Sequence, residues 1–343
     1  MRKKIFPDHI CFEVTHRCTS DCVTCAAFFK RPDTSRRELS IKEIKKIIDE
    51  ISSYRRKPYI SITGGEPFLR SDILDILRYL EFRKVPYGIF TNATAITSGM
   101  IKRMKNLNPQ RVQISLDGPK EIHDKIRRQP GAYAKTIETI KHIKQETKWK
   151  VLLVCVINVL NVRHLTEVAA IANQLGVDLR FEHVGFLTLK RLFQQKEITK
   201  HTLKITEASF VWDKNKEWLA MLDAGALYEE MLQIKKGKRK INIYFSPDLT
   251  KKKMEEYYSC SDEAVVSDTC YFPWFGAKIN PYGDVFVCRG VYLPIGNILN
   301  NTLNALYNNK SSNNFRKHLK EKLLPACARC PWCASGDLCG AIL

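Results

Sequence analysis

Three cysteines lie close together near the amino terminus, at Cys18, Cys22 and Cys25. They follow a strand-like apolar stretch and therefore share one loop. Three thiolates on a loop can hold three irons of a [4Fe–4S] cluster, for which four cysteines would be usual. The fourth iron would then be open, and an open coordination position distinguishes a reacting metal from a structural one. A structural zinc knuckle or a group of buried thiols is the alternative for these residues taken alone.

Polar residues and glycines recur where the predicted strands end. The segment TGGEP follows the second strand, and its Gly64 and Gly65 allow backbone to approach a ligand closely. Glu66 and nearby carbonyls can hold a ligand amino group there. Each such segment alone is typical of a turn, but their recurrence at successive strand ends is what a ligand spanning a barrel mouth requires. The other members of this group are Thr91 and Asn92 after the third strand, Ser115 and Asp117 after the fourth, and Arg127 further on.

Short apolar strands alternate with amphipathic segments as far as about residue 185, which is typical of a parallel sheet built from βα repeats. Six repeats are too few for a closed eight-stranded barrel. We therefore expect an α/β fold, a partial (β/α)6 TIM-like barrel, with its chemistry at the carboxyl ends of the strands. The predicted strands are Ile10–Val14, Tyr59–Ile62, Tyr87–Phe90, Arg111–Leu116, Val151–Ile157 and Leu179–Glu182. The predicted helices are Ser40–Ser53, Ser71–Phe82, Ser98–Asn106, Tyr133–Thr147 and Val162–Leu175, with Ser40 and Ser71 as N-caps.

Two further regions follow this core, which we place at residues 1–185. The βα repeat is lost over 186–259, where we expect a helical linker on the substrate side, with helical patterning over Glu217–Lys235. Residues 260–343 are cysteine-rich and punctuated by glycine and proline, and so small a domain normally needs staples such as a metal cluster. Within it, Asn280–Cys288 predicts a hairpin with its turn at Tyr282-Gly283-Asp284, and a helix is expected before Cys327.

Composition narrows the function classes. The 343 residues include 12 cysteines, and seven of them fall in two clusters near the termini, at 18–25 and 327–339, rather than being spread as in a disulfide framework. With no secretory signal and no long uncharged apolar stretch, we expect a cytoplasmic protein without a membrane span, whose reduced thiols serve as metal ligands. The net charge of +20 comes from 56 Lys and Arg against 36 Asp and Glu. Basic runs at 235–240 and 251–253 favour solvated faces over a nucleic-acid site, although an anionic substrate or an acidic electron donor would also suit them.

The cysteine spacing, the GGEP segment and the SLDG segment at 115–118 together resemble the radical S-adenosylmethionine (radical SAM) superfamily. The resemblance implies that Cys18, Cys22 and Cys25 hold a [4Fe–4S] cluster whose open iron is chelated by the amino and carboxylate groups of S-adenosylmethionine. By the same resemblance Gly64, Gly65 and Glu66 would contact the amino group. Ser115 and Arg127 would hold ribose and carboxylate, with Asn158 as a weaker candidate for the same pocket. One departure is Thr24, because the family usually has an aromatic residue immediately before the third cysteine.

The carboxyl-terminal cysteines resemble the SPASM/twitch extension of radical SAM enzymes, which carries auxiliary [4Fe–4S] clusters. This resemblance implies one auxiliary cluster held by Cys270, Cys288, Cys327 and Cys330. A full SPASM arrangement has seven cysteines for two clusters, and Leu343 stands where its last cysteine would be. Cys260, Cys333 and Cys339 would then be spare thiols. A four-cysteine zinc site is the alternative for this region.

The function implied is reductive cleavage of S-adenosylmethionine to a 5′-deoxyadenosyl radical, which abstracts a hydrogen atom from a substrate. The auxiliary cluster would assist oxidation or bond formation, and a low-potential flavodoxin- or ferredoxin-like protein would supply electrons. A small substrate such as a sugar, a cyclitol or a tetrapyrrole is favoured, because peptide-modifying relatives often carry an extra amino-terminal leader-binding domain and here the first strand begins near residue 9. A partner protein could supply such a domain. The alternatives are a peptide- or protein-modifying maturase and a non-catalytic iron–sulfur or zinc scaffold. Glu182 and His183, at the end of the sixth strand, are candidate substrate contacts or proton acceptors.

Overall fold

A computed structural model describes residues 5–25, 33, 35–201, 209–210, 218–259 and 266–331. The strands are β1 His9–Thr15, β2 Tyr59–Gly64, β3 Tyr87–Thr91, β4 Arg111–Ser115, β5 Val151–Ile157, β6 Asp178–His183, β7 Ser209–Phe210, β8 Ile243–Ser246, β9 Gly276–Ile279, β10 Asp284–Phe286, β11 Val291–Tyr292 and β12 Pro294–Asn297. The helices are α1 Ile41–Ser52, α2 Ile73–Phe82, α3 Ser98–Met104, α4 Lys120–Arg127, α5 Ala132–Glu146, α6 Leu165–Leu175, α7 Leu189–His201, α8 Ala224–Lys236, α9 Lys251–Tyr258, α10 Phe272–Phe275, α11 Leu303–Tyr307 and α12 Lys310–Glu321.

The main sheet contains ten strands in the order β12-β10-β9-β1-β2-β3-β4-β5-β6-β8. Strands β1 to β6 are neighbours in chain order and all parallel, which confirms the six predicted strands and the partial-barrel fold. Parallel strands need crossover connections, and here helices such as α1, α2 and α6 provide them. The carboxyl ends of the six strands therefore meet at one edge, where the cysteine loop begins.

The sheet extends beyond the six strands at both sides. Strand β8 pairs in parallel with β6, so the segment 186–259, expected to be a helical linker, contributes a strand to the barrel sheet. Strand β9 pairs in parallel with β1, so the carboxyl-terminal region joins the same sheet at the other side. The strand β8 escaped prediction because only Ile243, Tyr244 and Phe245 carry its pattern, directly after a basic run.

The starts of α6, α2 and α8 depart from the sequence expectation, and α6 begins at Leu165 instead of Val162. Ser40 caps α1 as expected, in a reciprocal capping box with Glu43. Ser71 is not the cap of α2: Asp72 stands there, and its carboxylate accepts hydrogen bonds from Arg70 instead of capping the helix. The helix expected from Glu217 begins only at Ala224, because the Asp223 carboxylate accepts from the backbone N–H groups of the first turn.

The core lies between the helices and one face of the sheet. On β5, alternate residues Leu153, Cys155 and Ile157 are fully buried, and α1 buries Ile44 and Ile48. Full burial of a side chain of this size contributes roughly 1.5–3 kcal/mol. The described part of the chain contains no helix of the length and hydrophobicity needed to cross a bilayer.

The predicted carboxyl-terminal hairpin is present. Strands β9 and β10 pair antiparallel, with Val285 opposite Ile279. The Asn280 side-chain oxygen accepts from the backbone N–H groups of Tyr282 and Asp284, and Gly283 supplies the positive φ of +87° that the turn needs. Helices α11 and α12 then precede Cys327, as expected from the sequence.

Candidate iron–sulfur and S-adenosylmethionine site

The cysteine loop, residues 16–25, leaves β1 at the carboxyl edge of the sheet. Cys22 is buried, Cys25 is half-buried and Cys18 is exposed. The loop turns between the last two cysteines, where the Cys25 N–H donates to the Cys22 carbonyl at 3.2 Å. All three thiols therefore stand on one tight segment at the end of the first strand, as the spacing predicted.

The GGEP segment lies directly against the chain that leads to Cys18. The Gly65 N–H donates to the Thr15 carbonyl at 2.8 Å, and the Glu66 N–H donates to the Arg17 carbonyl at 2.7 Å. A Cβ atom at Gly65 would lie 2.1 Å from the Arg17 oxygen, and one at Gly64 would lie 2.2 Å from the Thr15 oxygen. Only glycine fits here, so both glycines are required for the close approach of two backbones as well as being candidates for ligand contact.

Glu66 joins the ends of β2 and β3. Its side chain is fully buried and accepts from Thr91 Oγ1 at 2.8 Å and from the backbone N–H groups of Asn92 and Phe68 at 2.8 and 3.1 Å. Burial raises the pKa of Glu66 to about 7, although these hydrogen bonds oppose the rise. The carboxylate thus organises the strand ends, and the expected contact with an amino group remains a prediction.

Asn92 connects β3 to the cysteine loop. Its Nδ2 donates to Thr19 Oγ1 at 3.0 Å and lies 3.7 Å from Cys18 Sγ. Its Oδ1 accepts from Thr94, whose hydroxyl also bonds Thr19 at 2.7 Å. Thr91 and Asn92, chosen from the sequence as ligand contacts, therefore hold Glu66 and the cysteine loop in the structure.

The carboxyl end of α4 holds the other side of the cysteine loop. The Val23 N–H donates to the Ile126 carbonyl at 2.9 Å, which satisfies one of the unpaired carbonyls of the last helical turn. Arg127 Nη1 lies 3.5 Å from Cys22 Sγ, and Arg127 Nη2 lies 2.5 Å from Asp117 Oδ2. Two further contacts flank these: Arg128 with Asp21 at 3.0 Å and Gln129 with Ser20 at 2.5 Å.

Arg127 is buried but keeps its charge. Burial opposes ionisation, yet Asp117 and the Cys22 thiol together hold the pKa of Arg127 above its usual range. Asp117 is fully buried, and its other oxygen accepts from the Val156 N–H at 2.9 Å. Arg127 Nε has no hydrogen-bond partner within the described chain, so one donor of this guanidinium stays available at the cysteine loop.

Ser115 and Asn158 lie at the ends of β4 and β5 in different settings. Ser115 is half-buried, and strand register places it beside Val154. Asn158 is fully buried and engaged locally: its Oδ1 accepts from the Leu160 N–H at 2.9 Å and its Nδ2 donates to the Val156 carbonyl at 2.8 Å. Asn158 therefore shapes its own turn, and its role toward a ligand remains a prediction.

The face of the sheet that carries Ser115 is here called the trough. Val154 on β5 pairs in turn with Arg180 on β6, so Ser115, Val154 and Arg180 lie on the same face. The half-buried residues of β5 and β6 all lie on this face. Arg180 Nη2 lies 2.5 Å from Gln113 Oε1 and 2.8 Å from Glu182 Oε1. At the other side of the trough, Lys278 on β9 and Glu13 on β1 form a buried ion pair at 2.8 Å.

The two candidate proton acceptors fall on opposite sides of β6. Glu182 is half-buried in the trough beside Arg180. His183 is buried on the helix side, where its Nδ1 lies 2.8 Å from the Tyr258 hydroxyl. Burial lowers the pKa of His183 to about 4. The structure therefore favours Glu182 over His183 as a group that a ligand in the trough could reach.

The carboxyl-terminal cysteines also come together. Burial raises the pKa of Cys288 to about 12, and the nearby Cys327 and Cys270 thiols add to that rise. Cys330 follows Cys327 by one turn, with its N–H donating to the Cys327 carbonyl at 3.2 Å. The Val291 N–H points at Cys288 Sγ at 3.3 Å. Cys260, Cys333 and Cys339 lie outside the described residues.

Helices α7 and α9 fix the loop that contains Cys327 and Cys330. Gln195 on α7 accepts from the Ala326 N–H at 2.9 Å, and Arg191 donates to the Pro325 carbonyl at 3.2 Å. Tyr257 on α9 donates through its hydroxyl to the Arg329 and Val184 carbonyls at 2.9 and 3.0 Å. Since Val184 directly follows β6, Tyr257 connects the loop that contains Cys327 and Cys330 to the end of the trough at β6.

Both cysteine groups fit an iron–sulfur cluster. No three His, Cys, Asp or Glu side chains of the described residues converge on a single metal-ion position. A [4Fe–4S] cluster takes one thiolate for each iron, so its ligands need not converge on one atom. The N–H donors of Asn92 and Arg127 toward Cys18 and Cys22 are the kind of hydrogen bonds that tune such clusters, and the unpaired Arg127 Nε suits an anionic ligand group beside them.

Comparison with known families decides the assignment. A family model described as "Radical SAM superfamily" matches residues 12–172, and one described as "Iron-sulfur cluster-binding domain" (SPASM) matches residues 270–331. The chain belongs to the radical SAM superfamily. The first match contains the three cysteines, the GGEP segment and Arg127, and the second begins at Cys270 and contains Cys330.

Curated radical SAM relatives have diverse names. An AdoMet-dependent heme synthase of Methanosarcina barkeri is 30% identical over 53% of this chain and 51% of its own length. An Fe-coproporphyrin III synthase of the same organism is 35% identical over 46% of this chain and 39% of its own. Mycofactocin maturase MftC of Mycolicibacterium smegmatis is 31% identical over 51% of this chain and 44% of its own. The chain thus spans about half or less of the length of these relatives.

Solved radical SAM structures share the fold. Streptococcus suis SuiB bound to the precursor peptide SuiA superposes with a TM-score of 0.65 at 16% identity, covering 95% of this chain and 71% of SuiB. The anSMEcpe protein with bound AdoMet gives a TM-score of 0.57 at 17% identity, covering 95% of this chain and 88% of anSMEcpe. At such identities these likenesses establish the fold alone.

Sequence reasoning missed several residues that build the site. The sequence placed Asp117 among the polar residues at a ligand-binding edge but did not indicate its pairing with Arg127, and it did not single out Asn161. Asn161 donates through Nδ2 to the Asp117 carbonyl at 2.8 Å and thereby joins the ends of β4 and β5. The short separation in sequence between the SLDG segment and Arg127 was the one available indication that Asp117 contacts Arg127. No local signal reveals Asn161, because its partner lies 44 residues away.

Proposed function

We propose that this protein is an enzyme that cleaves S-adenosylmethionine reductively and uses the resulting radical to remove a hydrogen atom from a substrate bound in the trough. The observation that carries the proposal is the fixation of the cysteine loop at the carboxyl edge of the sheet. Asn92 holds it from β3 and Arg127 holds it from α4. Radical chemistry needs a source held rigidly beside the substrate, and these two contacts hold the loop in place.

Different residues of the chain would bind the cluster, S-adenosylmethionine and the substrate. A [4Fe–4S] cluster on Cys18, Cys22 and Cys25, with S-adenosylmethionine on its open iron, supplies the electron and the 5′-deoxyadenosyl radical when bound. Gly64, Gly65, Glu66, Ser115 and Arg127 would hold S-adenosylmethionine, with Thr91, Asn92 and Asn158 supporting the pocket. Arg127 keeps its charge because Asp117 pairs with it, which prepares it for a carboxylate. Substrate in the trough would meet Arg180 and Glu182.

One auxiliary [4Fe–4S] cluster is proposed for Cys270, Cys288, Cys327 and Cys330. The electrostatic influence of the Cys327 and Cys270 thiols on the Cys288 thiol supports it. Electrons would come from a low-potential flavodoxin- or ferredoxin-like protein. The net positive charge of +20 suits an acidic donor of this kind.

The proposed substrate is a small molecule with ionisable groups, and a carboxylated tetrapyrrole is the first to try. The trough supports this choice because it presents Arg180 on one side and Lys278 on the other. The names of two relatives, heme synthase and Fe-coproporphyrin III synthase, point the same way. A ribosomal peptide is the second candidate, favoured by the likeness to MftC and to SuiB with its precursor peptide.

The test is anaerobic reconstitution of the full chain, followed by measurement of 5′-deoxyadenosine with dithionite as reductant. The Cys22→Ala variant is the matched control. Formation of 5′-deoxyadenosine that is lost in this variant supports the enzyme. Iron below about four atoms per chain, with zinc in its place, would contradict it in favour of a non-catalytic scaffold. Addition of iron coproporphyrin III should increase 5′-deoxyadenosine and change the mass of the porphyrin; no change in either would contradict the tetrapyrrole.

A further inference from the structure

A buried arginine lies between the last two cysteines of the carboxyl-terminal group. Arg329 is 1% exposed and is the largest of the fully buried side chains. Its Nε donates to the Tyr257 carbonyl at 2.6 Å, and its guanidinium lies 5.1 Å from the centre of the Phe186 ring. The Tyr257 hydroxyl donates back to the Arg329 carbonyl at 2.9 Å, so the side chain and backbone of this residue are both held in place.

The surroundings of Arg329 also contain the thiols. It is adjacent to Cys330 and two residues from Cys327, and the Cys327 thiol is close enough to Cys288 to affect its ionisation. Burial raises the pKa of Tyr257, the Cys330 thiol adds to that rise, and Arg329 opposes it. The positive charge and the Cys330 thiol therefore both act on one phenol within a single buried region.

A [4Fe–4S] cluster bound by four thiolates is negatively charged, and its charge becomes more negative on reduction. A fixed positive charge beside such a cluster stabilises the reduced state more than the oxidised state. The cluster potential consequently rises, since net charge is one of the factors that set it.

We propose that Arg329 is the counter-charge of the auxiliary cluster and raises its reduction potential, which makes the cluster a better electron acceptor. This inference depends on the proposed function, because it requires a cluster on Cys270, Cys288, Cys327 and Cys330. Arg329 acts on the cluster through its charge and needs no contact with substrate. It is thus a positioning residue whose effect is measured as a potential.

The experiment is an EPR-monitored redox titration of the full chain after anaerobic reconstitution. A background variant in which Cys18, Cys22 and Cys25 are all alanine isolates the signal of the auxiliary cluster. In this background Arg329→Gln and Arg329→Met should lower the equilibrium constant for reduction of the cluster at least tenfold. For one electron this corresponds to a reduction potential lower by about 59 mV. Arg329→Lys should stay closer to the parent than to the neutral variants, because it keeps the charge.

Arg316 provides a matched control in the same region. It is 4% exposed, donates to the Pro273 and Tyr307 carbonyls at 2.7 Å each, and lies 4.3 Å from the centre of the Tyr307 ring. It therefore shares the buried, carbonyl-bound and ring-stacked setting of Arg329 but lies outside the Cys-x2-Cys segment. Arg316→Gln should leave the potential unchanged.

Each outcome separates the inference from the proposed function. Absence of any cluster in the background variant contradicts the proposed auxiliary site itself. A cluster whose potential does not change in Arg329→Gln overturns the role of Arg329 and leaves the site intact. If neither neutral variant assembles the cluster, the Arg329→Lys variant decides. Assembly of the cluster in Arg329→Lys supports the role of Arg329 as counter-charge. Failure in Arg329→Lys, with normal assembly in Arg316→Gln, shows that only the packing of Arg329 matters and overturns the inference.

Discussion

The Arg127 guanidinium lies 2.5 Å from the Asp117 carboxylate, and the same arginine lies 3.5 Å from Cys22 Sγ. The end of β4 is thereby connected to the cysteine loop through a single side chain. The arrangement has a cost, since Asp117 is fully buried and would be an isolated charge without its partner. The pair is accordingly a point where stability and the proposed binding of S-adenosylmethionine depend on the same two residues.

Breaking this pair should destabilise the chain strongly. Asp117→Ala leaves the buried Arg127 charge uncompensated, and we expect a loss of about 3–5 kcal/mol in the free energy of unfolding. Urea unfolding of the cluster-free chain measures it. Arg128→Gln is the control, because Arg128 pairs with Asp21 at the surface, and such pairs contribute about 0–1 kcal/mol. Equal losses in the two variants would contradict the role of the buried pair.

Alanine at either glycine of the GGEP segment should prevent cluster assembly. In Gly65→Ala the new Cβ would lie 2.1 Å from the Arg17 carbonyl oxygen, so the backbone leading to Cys18 must move. We expect iron content after reconstitution to fall at least several-fold and the melting temperature to fall with it. Gly99→Ala is the matched control: the atom nearest its Cβ is 3.9 Å away, within helix α3. That variant should be as stable as the parent or gain about 0.4–1 kcal/mol, and normal iron in Gly65→Ala would refute the close-approach argument.

Glu66 should make stability depend on pH in an unusual direction. Burial raises its pKa from 4.5 to about 7, so between these values the folded chain binds more protons than the unfolded chain. The contribution of Glu66 is therefore fully present below about pH 4.5 and is lost as the pH rises through 7. The difference in unfolding free energy between the parent and Glu66→Gln should decrease over this range, by at most about 1.4 kcal/mol per pH unit.

Urea unfolding of the cluster-free chain at several pH values from 5 to 8 tests this. Glu43→Gln serves as the control, because Arg37 holds the pKa of Glu43 down to about 2 and its titration lies below the range. The difference between the parent and Glu43→Gln should be flat from pH 5 to 7. If the difference in unfolding free energy between the parent and Glu66→Gln is also independent of pH, the pKa of Glu66 is not raised in the folded chain.

Substitution of Glu182 should reduce activity, whereas substitution of His183 should reduce stability. Glu182→Gln removes a carboxylate that faces the trough, and we expect substrate conversion at least tenfold slower with a small change in stability. His183→Leu leaves the buried Tyr258 hydroxyl without its partner, which costs about 1–3 kcal/mol in unfolding free energy. Substrate conversion by its folded fraction should stay near that of the parent. The reverse pattern would assign the proton acceptor to His183.

The parts of the fold that sequence predicted are those with local causes. Ser40 and Glu43 specify the start of α1 three residues apart, and Gly283 specifies the hairpin turn. The cysteine loop was equally visible, because its three thiols occupy eight consecutive residues. Such features depend on neighbours in the chain and therefore leave a pattern that can be read directly.

The parts that were missed depend on distant partners. Ser71 is an exception with a local cause, because Asp72 stands at the N-cap position and its carboxylate pairs with Arg70 instead of capping the helix. Arg127 was expected to bind a ligand, and its contacts with Asp117 and Cys22 arise only when β4, α4 and the cysteine loop meet. Strand β8 contains four residues, and its place beside β6 is set by pairing between residues 64 positions apart in the chain. No short pattern encodes such contacts.

Strand β1, which ends at the cysteine loop, is bonded on one side to β2 and on the other to β9. The second of these neighbours begins only at Gly276, so during synthesis one edge of β1 stays unpaired until four-fifths of the chain has been made. An exposed strand edge invites pairing with other chains. The nascent protein must therefore carry an open edge beside its first cysteine group until the chain has passed Cys270, the first member of the second group. Protection of this edge from aggregation is thus a late event in the synthesis of the chain.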